Sequence, residues 1–145
     1  MSVLFNNAQG ATTISGPVKV VTVYDNVVGC PNSSRTNPLI SATITVNAPS
    51  HFLIKGSMVR RANDRSDAYL NAFGPAGSNY AGGAQLSPRL NWSGSISAME
   101  TVVFDSSIYG NAAGTYTFTI TAAAPTIWGC GRTHGKLMVL AMEVA

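Results

Sequence analysis

Side chains able to serve as acid, base or metal ligand are few in this sequence. The only histidines are His51 and His134, and the only acids are Asp25, Asp64, Asp67, Glu100, Asp105 and Glu143. Metalloprotease chemistry needs two histidines one helical turn apart around a glutamate, and phosphate chemistry needs a glycine-rich loop ahead of Lys-Ser/Thr. No H-E-x-x-H, G-x-S-x-G, P-loop or dinucleotide fingerprint occurs. No two carboxylates stand out as the pair that glycoside hydrolysis requires. Asp64 and Asp67 lack the spacing of a calcium loop. His134, in "GCGRTHGK", reads as a solvated turn residue, and His51 as the start of a strand after "NAPS". Cys30 and Cys130 are far apart and show no metal-ligand spacing, so free thiols are the expectation for a reducing compartment. The chain is therefore expected to have no catalytic residue, no metal and no cofactor.

Binding is the better use of what remains. "RRANDRSD", residues 60–67, gathers Arg60, Arg61 and Arg65 with Asp64 and Asp67. Exposed ion pairs within such a hairpin connection are worth little. The guanidinium fork, however, suits bidentate pairing with carboxylates of another protein. Aromatic residues do not interleave with the arginines, which argues against single-stranded nucleic acid. The loop "FGPAGSNYAGGAQ", residues 73–85, carries Tyr80 among Gly, Ser and Asn, a composition suited to adaptable recognition. Trp92 in "LNWSG" reads as core or sandwich edge, and Trp128 in "TIWGCGR" as an exposed loop aromatic.

These residues must be positioned by strands. Period-two alternation dominates: "GTYTFTITA" sets Thr115, Thr117, Thr119 and Thr121 against Tyr116, Phe118 and Ile120, and "SATITV" sets Ser41, Thr43 and Thr45 against Ala42, Ile44 and Val46. Segments 18–24, 51–60, 67–73, 84–94 and 99–106 are further strands, with Pro88 marking an edge or bulge in the fourth of these. Gly-, Pro- and Asn-rich turns separate them. No window sustains a helical pattern. About eight antiparallel strands predict an all-β, jelly-roll-like sandwich over 18–145. Residues 1–17 lack alternation and read as an N-terminal arm, with Val3, Leu4 and Phe5 as its apolar anchors.

The surface is short of charge. Charged residues are 10% of the chain, against a typical value of about 25%, and such depletion marks interface cores. The net charge of +3 is too weak to imply nucleic acid. The start "MSVLFNNAQG" has no basic region followed by an apolar one, and no stretch reaches membrane-spanning length, so cytoplasmic assembly without a membrane is expected. The last ten residues, "KLMVLAMEVA", are apolar on both phases of a strand. Leu137, Val139 and Ala141 would close the core. Met138, Leu140 and Met142 would then need a second cover, and a neighbouring subunit is the expected one, with methionine as the adaptable packing residue.

The stretch from "YGNAAGTYTFTITAAAP" to "LMVLAMEVA" resembles the ends of small β-sandwich proteins on the outside of tailed bacteriophages. The shared texture is a Thr-faced strand, a Gly-rich loop, and a closing apolar strand ending in an acidic and one or two small apolar residues. Capsid decoration (cement) proteins and receptor-binding tail-fibre tips both fit it, and both are usually homotrimers. The resemblance implies a virion protein on the capsid exterior, with the major capsid protein and its own copies as partners. A chain starting at Met1 with no shaft segment favours decoration. A tail-fibre tip or carbohydrate-binding module, using the 73–85 loop and Trp128, is the alternative.

Overall fold

The computed structural model describes residues 3–7, 10–14, 17–27, 37–60, 66–88, 90–92, 100–123 and 133–144. Among the described residues all of the strand pairing is antiparallel. One sheet has the order β3-β11-β5-β9, formed by Val18–Val27, Thr133–Glu143, Ser50–Arg60 and Glu100–Gly110. The other has the order β4-β10-β6-β7, formed by Asn37–Val46, Gly114–Ala123, Ser66–Phe73 and Ala84–Gln85, and β8 (Leu90–Trp92) also pairs with β6.

The expected strand over 84–94 is thus two short pieces along one edge, with Pro88 between them. Proline has no N–H for the ladder, and the chain leaves the sheet there. Ser87 repairs part of the gap: its Oγ accepts the Leu70 N–H at 2.9 Å, while the Leu86 N–H donates to the Leu70 carbonyl at 2.7 Å. With β7 and β8 taken as one interrupted strand, the sandwich has eight. The first pairs with the eighth, the second with the seventh, the third with the sixth and the fourth with the fifth. This nesting of hairpins, rolled so that alternate pairs fall in opposite sheets, is a jelly roll.

Three other expectations meet a different structure. The strand expected over 18–24 continues as β3 through Val27. His134, expected in a turn, stands on β11 opposite Asn26 and Val59. Gly135 favours a turn locally, but a long antiparallel ladder overrides such local preference. Within the arm, β1 (Val3–Asn7) and β2 (Gly10–Ile14) pair as a separate two-stranded sheet. Strands of five residues are too short to display alternation, and the intervening Ala-Gln is not a recognisable hairpin turn.

The core lies between the two four-stranded layers. Ile40, Ala42, Ile44, Tyr116, Phe118, Ile120 and Leu70 from one sheet meet Phe52, Ile54, Phe104, Leu137, Val139 and Ala141 from the other. Phe52 carries the cross-sheet aromatic contact, its ring centroid 4.7 Å from Tyr116 and 5.3 Å from Phe118. On the solvent side of the second sheet the threonines hydrogen-bond across strands, Thr45 to Thr115 at 2.9 Å and Thr43 to Thr117 at 3.2 Å.

One end of the core is closed by Tyr116, whose hydroxyl donates to the Ala112 carbonyl at 2.8 Å. A Cβ placed on Gly110 would stand 2.6 Å from the phenol Cζ and oxygen. The ring is rigid and its hydroxyl tethered, so Gly110→Ala is expected to lower the unfolding free energy by about 1–3 kcal/mol, the usual cost of overpacking. Urea unfolding checks this, and an unchanged midpoint would show that the turn yields freely.

Candidate self-association face

The outer face of β3-β11-β5-β9 is assembled by strand alternation and register. Reading across the sheet, one row holds Val18, Met142, His51 and Tyr109, and the next holds Val20, Leu140, Leu53 and Ser107. The third row holds Thr22, Met138, Lys55 and Asp105. Apolar and aromatic groups dominate the first two rows, and polar and charged groups enter with the third. Val18 is 49% exposed, Val20 56% and Tyr109 37%, while Val103, farther down the edge strand, reaches 70%. Between them Met142 and His51 are buried, at 4% and 5%, so the bare apolar groups of this face stand on its two edge strands.

Of the residues expected at a subunit seam, Met138 and Leu140 are half-buried on this face. Met142 is only 4% exposed within its own chain, flanked in register by Val18 and His51. The strand is therefore neither enclosed by its own chain nor uniformly bare. Val18, Val20, Leu53 and Tyr109, which were not singled out from the sequence, enlarge the face. The signal was present: "VKVVTVY" is apolar on both phases, as the C-terminal run is.

The first row is anchored from below. Glu143, at the inward end of β11, is 8% exposed at its side chain. Its Oε1 accepts the Asn47 N–H at 2.9 Å and stands 3.0 Å from Lys19 Nζ. Lys19 also donates to the Thr45 carbonyl at 2.8 Å. The clasp joins the end of one sheet to the β4–β5 turn. The Asn47 hydrogen bond, followed by the Lys19 hydrogen bond and charge, holds the Glu143 carboxyl below its ordinary range despite an opposing contribution from burial. His51, whose ring lies 4.9 Å from Tyr109, has its pKa lowered by burial.

Val3, Leu4 and Phe5 lie on β1 opposite Ile14, Thr13 and Thr12. Arg60 ends β5 opposite Glu100. Arg61, Arg65, Cys30, Cys130 and Trp128 lie outside the described residues. The 73–85 loop is built rather than open: Asn79 N–H donates to Asn111 Oδ1 at 2.9 Å, and Asn79 Nδ2 donates to the Tyr109 carbonyl at 2.9 Å. Gly74 N–H closes the loop on the Tyr80 carbonyl at 2.8 Å. Among the described residues no cluster of His, Cys, Asp and Glu could hold a metal ion.

Known structures share this architecture. The chain superposes on a chain from the structure of infectious bursal disease virus strain Gx with a TM-score of 0.53. There it covers 99% of this chain and 38% of that one at 10% identity. Against the crystal structure of the infectious bursal disease virus VP2 subviral particle the TM-score is 0.54, with 99% and 37% coverage and 10% identity. What is shared is the fold. The chain spans under two-fifths of the length of these viral capsid proteins. No family model matches the chain, and no curated protein does.

Proposed function

We propose that this chain is a virion structural protein that decorates the outside of a phage-type capsid as a homotrimer and bridges major capsid protein subunits. The observation that carries the reading is a jelly roll with an apolar outer sheet face that its own chain leaves partly bare. The fold it shares with viral capsid proteins supports a place in a virion, and the low charge supports burial against other subunits. Val3, Leu4 and Phe5 on the β1–β2 hairpin are the proposed grip on the shell, because an isolated two-stranded hairpin is marginal in water and gains from a surface to rest on. Arg60, Arg61 and Arg65 supply charge-assisted hydrogen bonds to capsid carboxylates.

The action is mechanical. Each molecule adds buried area across a junction between shell subunits, so losing one subunit means breaking contacts with its neighbour and with the bridge as well. Co-sedimentation with empty phage shells tests the reading. The full chain is expected to pellet with shells and to raise their melting temperature. A chain lacking residues 2–10 is expected to stay in the supernatant at unchanged oligomeric mass. A full chain that ignores shells but binds host cells or glycans would replace decoration with receptor recognition.

A further inference from the structure

We infer that Cys30 and Cys130 are a redox pair, which a disulfide oxidant joins into a bond tying the first strand of the jelly roll to the last. Both cysteines lie outside the described residues, and it is the register of the described β3–β11 ladder that points to their pairing.

That ladder runs from Val18 opposite Met142 to Val27 opposite Thr133 without a register shift. Forward from Val27 the sequence has Val28 and Gly29 before Cys30. Back from Thr133 it has Arg132 and Gly131 before Cys130. The two counts are equal, so the same register assigns the cysteines to each other. A mismatch of one residue would send the two side chains to opposite faces of the sheet.

The kind of pair also suits a bond. Glu143 N–H donates to the Pro17 carbonyl at 3.4 Å, in the same register one step beyond Val18 and Met142. Hydrogen-bonded and non-hydrogen-bonded pairs alternate along an antiparallel ladder. Counted from Pro17 and Glu143, Val27 and Thr133 are a hydrogen-bonded pair, and the cysteine positions fall on a non-hydrogen-bonded one. Such pairs have Cα atoms about 4.5 Å apart and close side chains, inside the roughly 4.4–6.8 Å that a disulfide spans.

The bond forms by two exchanges. One protein thiolate attacks a sulfur of a small-molecule disulfide, which gives a mixed disulfide and releases one small thiol. The second protein thiolate attacks the protein sulfur of that mixed disulfide and releases the other. Two protein thiols are oxidised and one small disulfide is reduced to two thiols. A reducing cytoplasm keeps both cysteines as thiols, and the bond follows when the protein meets oxidising surroundings. It encloses the chain from β4 through β10 in one covalent loop, and the constraint on the unfolded chain grows with the length of that loop.

Oxidised glutathione is the probe. Added to the folded, reduced chain, it is expected to bring the titratable thiols from two to none. The intact mass should fall by two hydrogens, and digestion should give one cross-linked peptide pair holding Cys30 and Cys130. The melting temperature is expected to rise by about 10–20 °C, as a closed loop of roughly 100 residues implies for a chain of this size, and to fall back with dithiothreitol. In urea the same reagent should leave glutathione adducts instead, because chain diffusion alone then brings the two cysteines together. Cys30→Ser is expected to take one glutathione and to melt alike with and without reductant. Two glutathione adducts on the folded protein, disulfides between chains, or thiols left unreacted would overturn the inference. Ring closure as fast in urea as in the folded protein would overturn the register as its cause.

Discussion

Phe52→Ala is expected to lower the unfolding free energy by about 3–5 kcal/mol, the range for removing a fully enclosed aromatic ring. Phe52 has no exposed surface and stands between the two sheets, in ring contact with Tyr116 and Phe118 of the opposite layer. Two losses combine. The ring's own transfer from water is forfeited, and the space left is bounded by two sheets whose long ladders resist collapse. Phe52→Leu keeps most of the volume and is expected to cost under half as much. Chemical denaturation of both variants gives the comparison. Near-equal small losses would mean that the layers close over the gap and that the aromatic contact contributes little. Because Leu53 and His51 next to it lie on the outward phase of β5, the same substitution is expected to disturb the candidate face only through lost stability. A variant that stays folded should keep its oligomeric mass.

Much of this architecture could be read from residue types. The alternation in "SATITV" and "GTYTFTI" assigns each residue to the correct layer, since Ala42, Ile44, Val46, Tyr116, Phe118 and Ile120 are all buried and Thr43, Thr45 and Thr115 are exposed. Ladder length was harder. Local turn chemistry at Asp25–Asn26 and Gly135 competes with pairing that only the folded sheet supplies, and the pairing prevails. The break at Pro88 was visible, but its repair by Ser87 depends on which strand lies alongside. At the candidate face, the two-phase apolar character of residues 137–142 marks one strand of the outer surface. Its breadth stayed hidden because Val18, Val20, Leu53 and Tyr109 come from three other strands. No spacing in a linear sequence states that they share rows; the register does.

Acid is expected to undo the Glu143 clasp first at the level of stability and then of assembly. The folded carboxyl is held below its ordinary value of 4.5 by the Asn47 N–H and by Lys19, so near that value the unfolded chain takes up a proton more readily than the folded one. Stability is therefore whole above the ordinary carboxylate range and declines as pH falls through the depressed folded value, below which the contribution is gone. His51 adds a separate slope of the same sign at higher pH. Its folded pKa lies below 6.5, so the unfolded chain protonates first as pH drops past that point. Glu143→Gln separates the two, since it should flatten the acid limb and leave the histidine limb in place. At neutral pH Glu143→Ala is expected to cost about 1–3 kcal/mol, the range for a lost hydrogen bond to a charged group with its partners left behind. Lys19 sits on the edge strand that carries Val18 and Val20, and Glu143 follows Met142. Releasing the clasp therefore frees the end of the outer face where the apolar rows lie. Oligomeric mass measured down the same pH series should fall alongside stability in the wild type and not in Glu143→Gln over the carboxylate window. Equal acid sensitivity of the two proteins would mean that the clasp is a bystander.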